Sequence, residues 1–175
     1  MSDKLSKKTK HGQFNSVQLN LVIFVDVHKA IASKSLEGSV YMMDNSLDSE
    51  GRGTAHLETT CKQGQTLNWI IYPMDMDRRL DGSWPPMVKI NNIVFLSEDG
   101  EEVADHKVCS DLKIFGGPDK IRSKETPVYY YWAGTVLWDL PIGLYKYRLI
   151  LELDSNDPEA RYMNLDTPSL NVIPV

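Results

Sequence analysis

Apolar residues occupy each odd position from Val17 to Val27, while the even positions run Gln18, Asn20, Val22, Phe24, Asp26 and His28. Successive side chains of a strand point to opposite faces, so this segment predicts a strand with one buried face. The same period recurs downstream. Leu67, Trp69 and Ile71 alternate with Thr66 and Asn68, and Val88, Ile90, Val94 and Leu96 share one parity with Asn92 among them. Tyr145, Tyr147, Leu149, Leu151 and Leu153 alternate with Lys146, Arg148 and Glu152, the clearest half-buried strand in the chain. Shorter strands are predicted at 39–43, 54–60, 107–115, 128–138 and 169–175. Turn chemistry separates them: Gly51 and Gly53, Gly64, Asp81-Gly82, Asp99-Gly100, Gly116-Gly117-Pro118-Asp119, Pro141-Ile142-Gly143 and Ser155-Asn156-Asp157-Pro158. Glycine supplies positive φ and proline fixes φ, so strands end there. A single helical turn is predicted between His28 and Leu36. Eight or nine short strands at this spacing predict an all-β fold, an antiparallel β-sandwich of Ig-like or jelly-roll-like type. Its predicted core includes Leu21, Ile23, Val25, Trp69, Ile71, Tyr147, Leu149 and Leu151.

The length of 175 residues suits one domain, here 17–175, preceded by a flexible polar tail over 1–16 that carries Lys4, Lys7, Lys8 and Lys10. With 42% hydrophobic and 25% charged residues the chain has the balance of a folded globular protein. A net charge of −5 argues against nucleic acid as a partner, since phosphate binding needs a clustered basic surface. It gives no attraction to an anionic membrane either. No apolar run approaches the roughly 18 residues of a membrane span, and no apolar run follows the early lysines as in a signal peptide. The expected location is the cytoplasm. Two cysteines, Cys61 and Cys109, are too few for a secreted disulfide scaffold and are read as free thiols.

The candidate chemistries are sparse. Asp26, Asp44, Asp75 and Asp77 offer oxygen ligands, but only Asp75 and Asp77 are close in sequence, whereas a calcium loop gathers several carboxylates within about a dozen residues. Asp44, Asn45 and Asp75 are therefore read as turn formers, and no metal is assigned. His28, His56 and His106 with Cys61 and Cys109 contain no short-spaced zinc pair. No nucleophile elbow or phosphate loop is present, so no catalytic residue and no cofactor are assigned. The run Tyr129-Tyr130-Tyr131-Trp132 is the most unusual feature. On a strand, Tyr129 and Tyr131 face one way while Tyr130 and Trp132 face the other. One pair fits a core and the other a surface, where aromatic rings bury area at low entropic cost. Trp84, in the turn Asp81-Gly82-Ser83-Trp84-Pro85-Pro86, is a second exposed candidate. Met42, Met43, Met74, Met76 and Met87 are read as core filler.

Val40-Tyr41-Met42-Met43-Asp44-Asn45 followed by Gly53-Thr54-Ala55-His56-Leu57-Glu58-Thr59 resembles a signature of the AidA/PixA inclusion-body protein family. Gly64-Gln65-Thr66-Leu67-Asn68-Trp69-Ile70-Ile71-Tyr72-Pro73-Met74-Asp75 resembles that family's Gly…Trp…Asp strand and turn. Ile23-Phe24-Val25-Asp26, Trp132-Ala133-Gly134 and Tyr145-Lys146-Tyr147-Arg148-Leu149 follow in the family's order. The family's Asp-Pro step before its final strand is matched here only by Asp166-Thr167-Pro168. The resemblance implies a bacterial β-sandwich protein, in some members accumulating as cytoplasmic inclusions, with no catalytic activity to carry over. The resulting expectation is a non-catalytic, self-associating protein, a homodimer or higher oligomer. The alternative is a ligand-binding module that holds a carbohydrate on the aromatic surface of Trp84 and Tyr129 to Trp132.

Overall fold

Ten strands and two short helices follow one another in this computed structural model, which describes residues 18–102, 107–110, 112–116 and 130–175. The strands are β1 (Gln18–Val25), β2 (Val40–Asp44), β3 (Glu58–Lys62), β4 (Thr66–Pro73) and β5 (Val88–Phe95), then β6 (Lys113–Gly116), β7 (Tyr130–Thr135), β8 (Gly143–Leu153), β9 (Tyr162–Leu165) and β10 (Ser169–Ile173). Helix α1 (Val27–Ser33) follows β1 and α2 (Pro158–Arg161) precedes β9. The expected tail over 1–16, and Tyr129, His106 and Gly117 to Asp119, lie outside the described residues.

One sheet has the strand order β2-β1-β4-β7-β6. The other runs β3-β10-β8-β5, with β9 also paired to β8. The fold is all-β in its architecture. Two expectations are corrected among the described residues: there are ten strands, not eight or nine, and the sheets are mixed. β1 runs parallel to β4, and β10 runs parallel to β3, while the other pairings are antiparallel. Alternation of side chains is the same in both directions, so it carries no information on strand sense.

The inner faces of the two sheets share one hydrophobic core. Leu21, Ile23, Val25, Trp69, Ile71, Tyr147, Leu149 and Leu151 are all fully buried in it, as the alternation predicts. Trp69 on β4 meets Tyr147 on β8 edge to face, with ring centroids 6.0 Å apart and planes at 78°. This is a favoured aromatic geometry, and it ties one sheet to the other. The Trp132 indole N–H donates to the Ile90 carbonyl at 2.9 Å, a second tie that satisfies a polar group inside the core.

β5 departs from the predicted parity. Val88 and Ile90 are buried, but the register shifts between Ile90 and Asn92, so Ile93 and Phe95 face inward while Val94 does not. One extra residue on one strand turns every later side chain to the opposite face. The segment 54–60 becomes strand only from Glu58, and among the described residues of 107–115 the strand begins at Lys113. The helical turn after β1 is real. Asp26 caps it by accepting from the Lys29 amide at 3.0 Å, and Lys34 ends it in the left-handed conformation at φ 52°. The turn read at 155–158 instead opens α2: Asp157 accepts from the Glu159 amide at 3.0 Å and Pro158 stands in the first turn. No helix among the described residues is long and apolar enough to cross a membrane.

Candidate functional site

Of the residues singled out in the sequence, Asp44, Trp69, Tyr130, Tyr131 and Trp132 lie on strands of the first sheet, Asn45 just past β2, and Asp75 and Trp84 in the loop between β4 and β5. Asp44, Leu21, Trp69 and Trp132 are register neighbours across β2, β1, β4 and β7, in one row on the inner face. Trp69 is fully buried and Trp132 nearly so. The Asp44 side chain is enclosed, and its Oδ1 accepts from the Ser46 amide at 3.1 Å and from Arg52 Nε at 3.3 Å. Asn45 Oδ1 accepts from the Asn20 amide at 2.8 Å, extending the β1–β2 contact past the end of β2. Asp75 Oδ1 accepts from the Asp77 amide at 3.1 Å and its other oxygen is bound by Arg79. Those two partners hold the Asp75 carboxyl below the usual carboxylate range. These contacts are those of turn formers. Among the described residues no three His, Cys, Asp or Glu side chains are grouped to hold a metal ion.

The aromatic run divides as its alternation predicts, for the three members that are described. Trp132 points into the core. Tyr131, on the outer face, stacks on Phe115 of β6 with centroids 5.1 Å apart and planes at 17°. Tyr130 is half-buried, with Lys89 Nζ 5.9 Å from its ring centroid. Trp84 is 67% exposed, and Arg78 lies over its ring at 5.7 Å. Trp138 is also exposed, yet it lies on Gly64, where an added Cβ would sit 2.2 Å from the ring. Only glycine permits that approach.

The structure also assembles a surface that the sequence reading passed over. On the outer face of the first sheet the register aligns Met43, Val22, Ile70, Tyr131 and Phe115 in a row across all five strands. The next row is Tyr41, Phe24 and Tyr72, where Phe24 and Tyr72 stack with centroids 5.7 Å apart. Met74 and Met76 continue the patch beyond the end of β4 and are exposed. The other end is mostly polar, with Asn20 and Asn68 beside Ala133, then Gln18, Thr66 and Thr135. Asn68 donates to Asn20 at 2.9 Å. Among the described strand positions of this outer face Lys113 is the single charged residue, and Asp75 and Asp77 lie beside Met74 and Met76 beyond β4. The methionine expectation is corrected accordingly: Met42 is core, whereas Met43, Met74 and Met76 are exposed. The available signal was the apolar character of Val22, Phe24, Ile70 and Tyr72 at positions that should face water.

A family profile described as a domain of unknown function (DUF8788) matches residues 17–159. A solved structure of an inclusion body protein (PixA) from Burkholderia cenocepacia J2315 is similar, with a TM-score of 0.56 over 90% of this chain and 94% of that one. Sequence identity is 10%, so the likeness is one of fold. The AidA/PixA resemblance read from the sequence is met at that level. No curated protein matches the chain in sequence.

Proposed function

The chain belongs to the DUF8788 family, and on that premise we propose that it is a non-catalytic protein of bacterial type whose working property is self-association through the outer face of the β2-β1-β4-β7-β6 sheet. The two sheets are read as the layers of a sandwich. The observation that carries the proposal is chemical. A strand with one face open to water ordinarily alternates apolar residues inward with polar residues outward. Here the outer face presents two aromatic and aliphatic rows without a charge, flanked by Lys113 opposite Ala133 at one end and by Asp75 and Asp77 beyond the end of β4. Contiguous apolar surface rimmed by polar residues marks an interaction site.

The occupant is a second copy of the chain. One row spans five strands and the next spans three, with strands about 4.8 Å apart, so the same patch on two chains can pack sheet on sheet at about 10 Å. A two-fold arrangement uses one patch twice and is the commonest closed symmetry. A net charge of −5 opposes it weakly, because charges beyond about 8 Å are screened at cellular salt. The similar structure is itself that of an inclusion body protein, which supports accumulation in dense, packed form, and a cytoplasmic setting follows from the same reading. Within this proposal Tyr131 is an interface residue, Trp132 a core residue, and Trp84 lies on a separate loop.

Hydroxyl-radical footprinting at low and high protein concentration tests the assignment. Oxidation of Met43, Phe24 and Phe115 is expected to fall as concentration rises, while Leu47 and Leu80, exposed elsewhere, keep their dilute rates. Equal protection at both concentrations for Met43 and Phe24 contradicts it.

A further inference from the structure

A cleft of about 360 Å³ opens where β4 and β7 of one sheet approach β5 and β8 of the other. Its floor is apolar, made by Ile71, Pro73 and Leu153, and its wall includes Tyr130. The volume lies at the small end of ligand sites, which run from about 300 to 1,000 Å³ and combine an apolar lining with a few placed polar groups. Four charged residues border it. Lys89 Nζ lies 2.9 Å from Glu152 Oε2, and Arg161 lies 2.9 Å from Glu152 Oε1, so both cations are already engaged by one carboxylate. Asp154 is the second acid. The two positive and two negative charges cancel, and the cleft holds no surplus that favours an anion or a cation.

Unspent hydrogen-bonding capacity remains beside the aromatic wall. The Asp154 carboxylate, the Asn156 amide and the Tyr130 hydroxyl bond to no side chain among the described residues, and Asp154 and Asn156 are exposed. A carboxylate is purely an acceptor, an amide both donates and accepts, and a phenol does both. The ligand that satisfies this set is neutral and rich in hydroxyls, with an apolar face for the ring. We propose that this cleft binds a neutral sugar, with Tyr130 against the C–H face of the pyranose and Asp154 and Asn156 taking its hydroxyls. Lys89, held 5.9 Å from the Tyr130 centroid, fixes the ring that forms the wall. The cleft meets the outer patch only at Pro73, and none of its polar groups belongs to that patch, so the inference stands apart from self-association.

The test is a series of ¹H–¹⁵N spectra of the full chain titrated separately with D-glucose, D-galactose, D-mannose and N-acetyl-D-glucosamine. At least one of them is expected to move the amides of Val88 and of Leu153 to Asn156 saturably. Losing the stacking face in Tyr130→Ala is expected to weaken that binding about tenfold, a change of about 1.4 kcal/mol. Asn156→Ala, at an exposed loop position, is expected to weaken it with the urea midpoint unchanged. The interface variant Ile70→Lys is expected to bind the sugar as well as the unaltered chain does. Absence of saturable shifts with all four sugars overturns the proposal, as do shifts confined to other regions or affinity unchanged in both Tyr130→Ala and Asn156→Ala.

Discussion

Raising the pH from about 9 to about 12 is expected to unfold the protein cooperatively. Cys61 and Cys109 are buried free thiols, and burial pushes each from its ordinary 9.0 up to about 12. The nearby Asp44 charge pushes Cys61 further in the same direction. Burial also raises the Tyr147 hydroxyl. In the unfolded chain these thiols ionise near pH 9, whereas in the fold they keep their protons to about pH 12. The folded state therefore holds more protons across that window, and stability that is fully present below pH 9 is lost as the pH rises. Each pH unit within the window removes about 1.4 kcal/mol per thiol, set against a total stability of about 5–15 kcal/mol for a domain of this kind. Urea unfolding followed by far-UV circular dichroism at successive pH values measures the slope. The double variant Cys61→Ala with Cys109→Ala is expected to start less stable and to show a shallower slope. Equal slopes in the two proteins would remove the thiols from the explanation.

Trp69→Ala is expected to be the most damaging single substitution, costing about 3–5 kcal/mol as other buried tryptophan truncations do. Trp69 is fully buried at the centre of its sheet, with Leu21 and Trp132 as register neighbours and Tyr147 edge-on from the other sheet. Removing the indole opens a cavity between two sheets whose backbones are fixed by their ladders, so collapse relieves little of it. Trp69→Phe keeps a ring against Tyr147 and is expected to lose less than half as much. The urea midpoint, read at constant denaturant slope, reports both. A loss below about 1 kcal/mol for Trp69→Ala, the typical size of an average substitution, contradicts this role for the residue.

β1 and β8 were legible because each keeps an unbroken period of two with one face in the core, from Leu19 to Val25 and from Tyr147 to Leu153. β5 was legible only to Ile90. The extra residue at the Asn91-Asn92 step reverses the pattern, and a fixed parity carried across it places Val94 on the wrong face. β9 escaped because four residues with Met163 and Leu165 as the inward pair are too few to establish a period. α2 escaped because Asp157-Pro158 serves a turn and a helix start equally well. Strand sense was invisible, since pairing β1 with β4 depends on the path of the intervening chain.

The candidate site was legible in part. Alternation separated Tyr131 from Trp132 correctly, but it gave no sign that Tyr131 aligns with Ile70, Val22 and Met43 from three other strands. That row exists only once register is set. The cleft is further from sequence reach, because Ile71, Tyr130 and Asn156 come together through packing between sheets and not through any local motif.

Sedimentation equilibrium of the unaltered chain beside Ile70→Lys tests self-association most directly. Ile70 lies mid-row between Val22 and Tyr131, half-buried on the outer face, where a lysine is tolerated by an isolated chain and is costly inside an apolar contact. The predicted result is a mass of two chains or more for the unaltered protein and of one chain for Ile70→Lys, with identical circular dichroism. A single-chain mass for the unaltered protein at every concentration, or an Ile70→Lys protein that still associates, would contradict it.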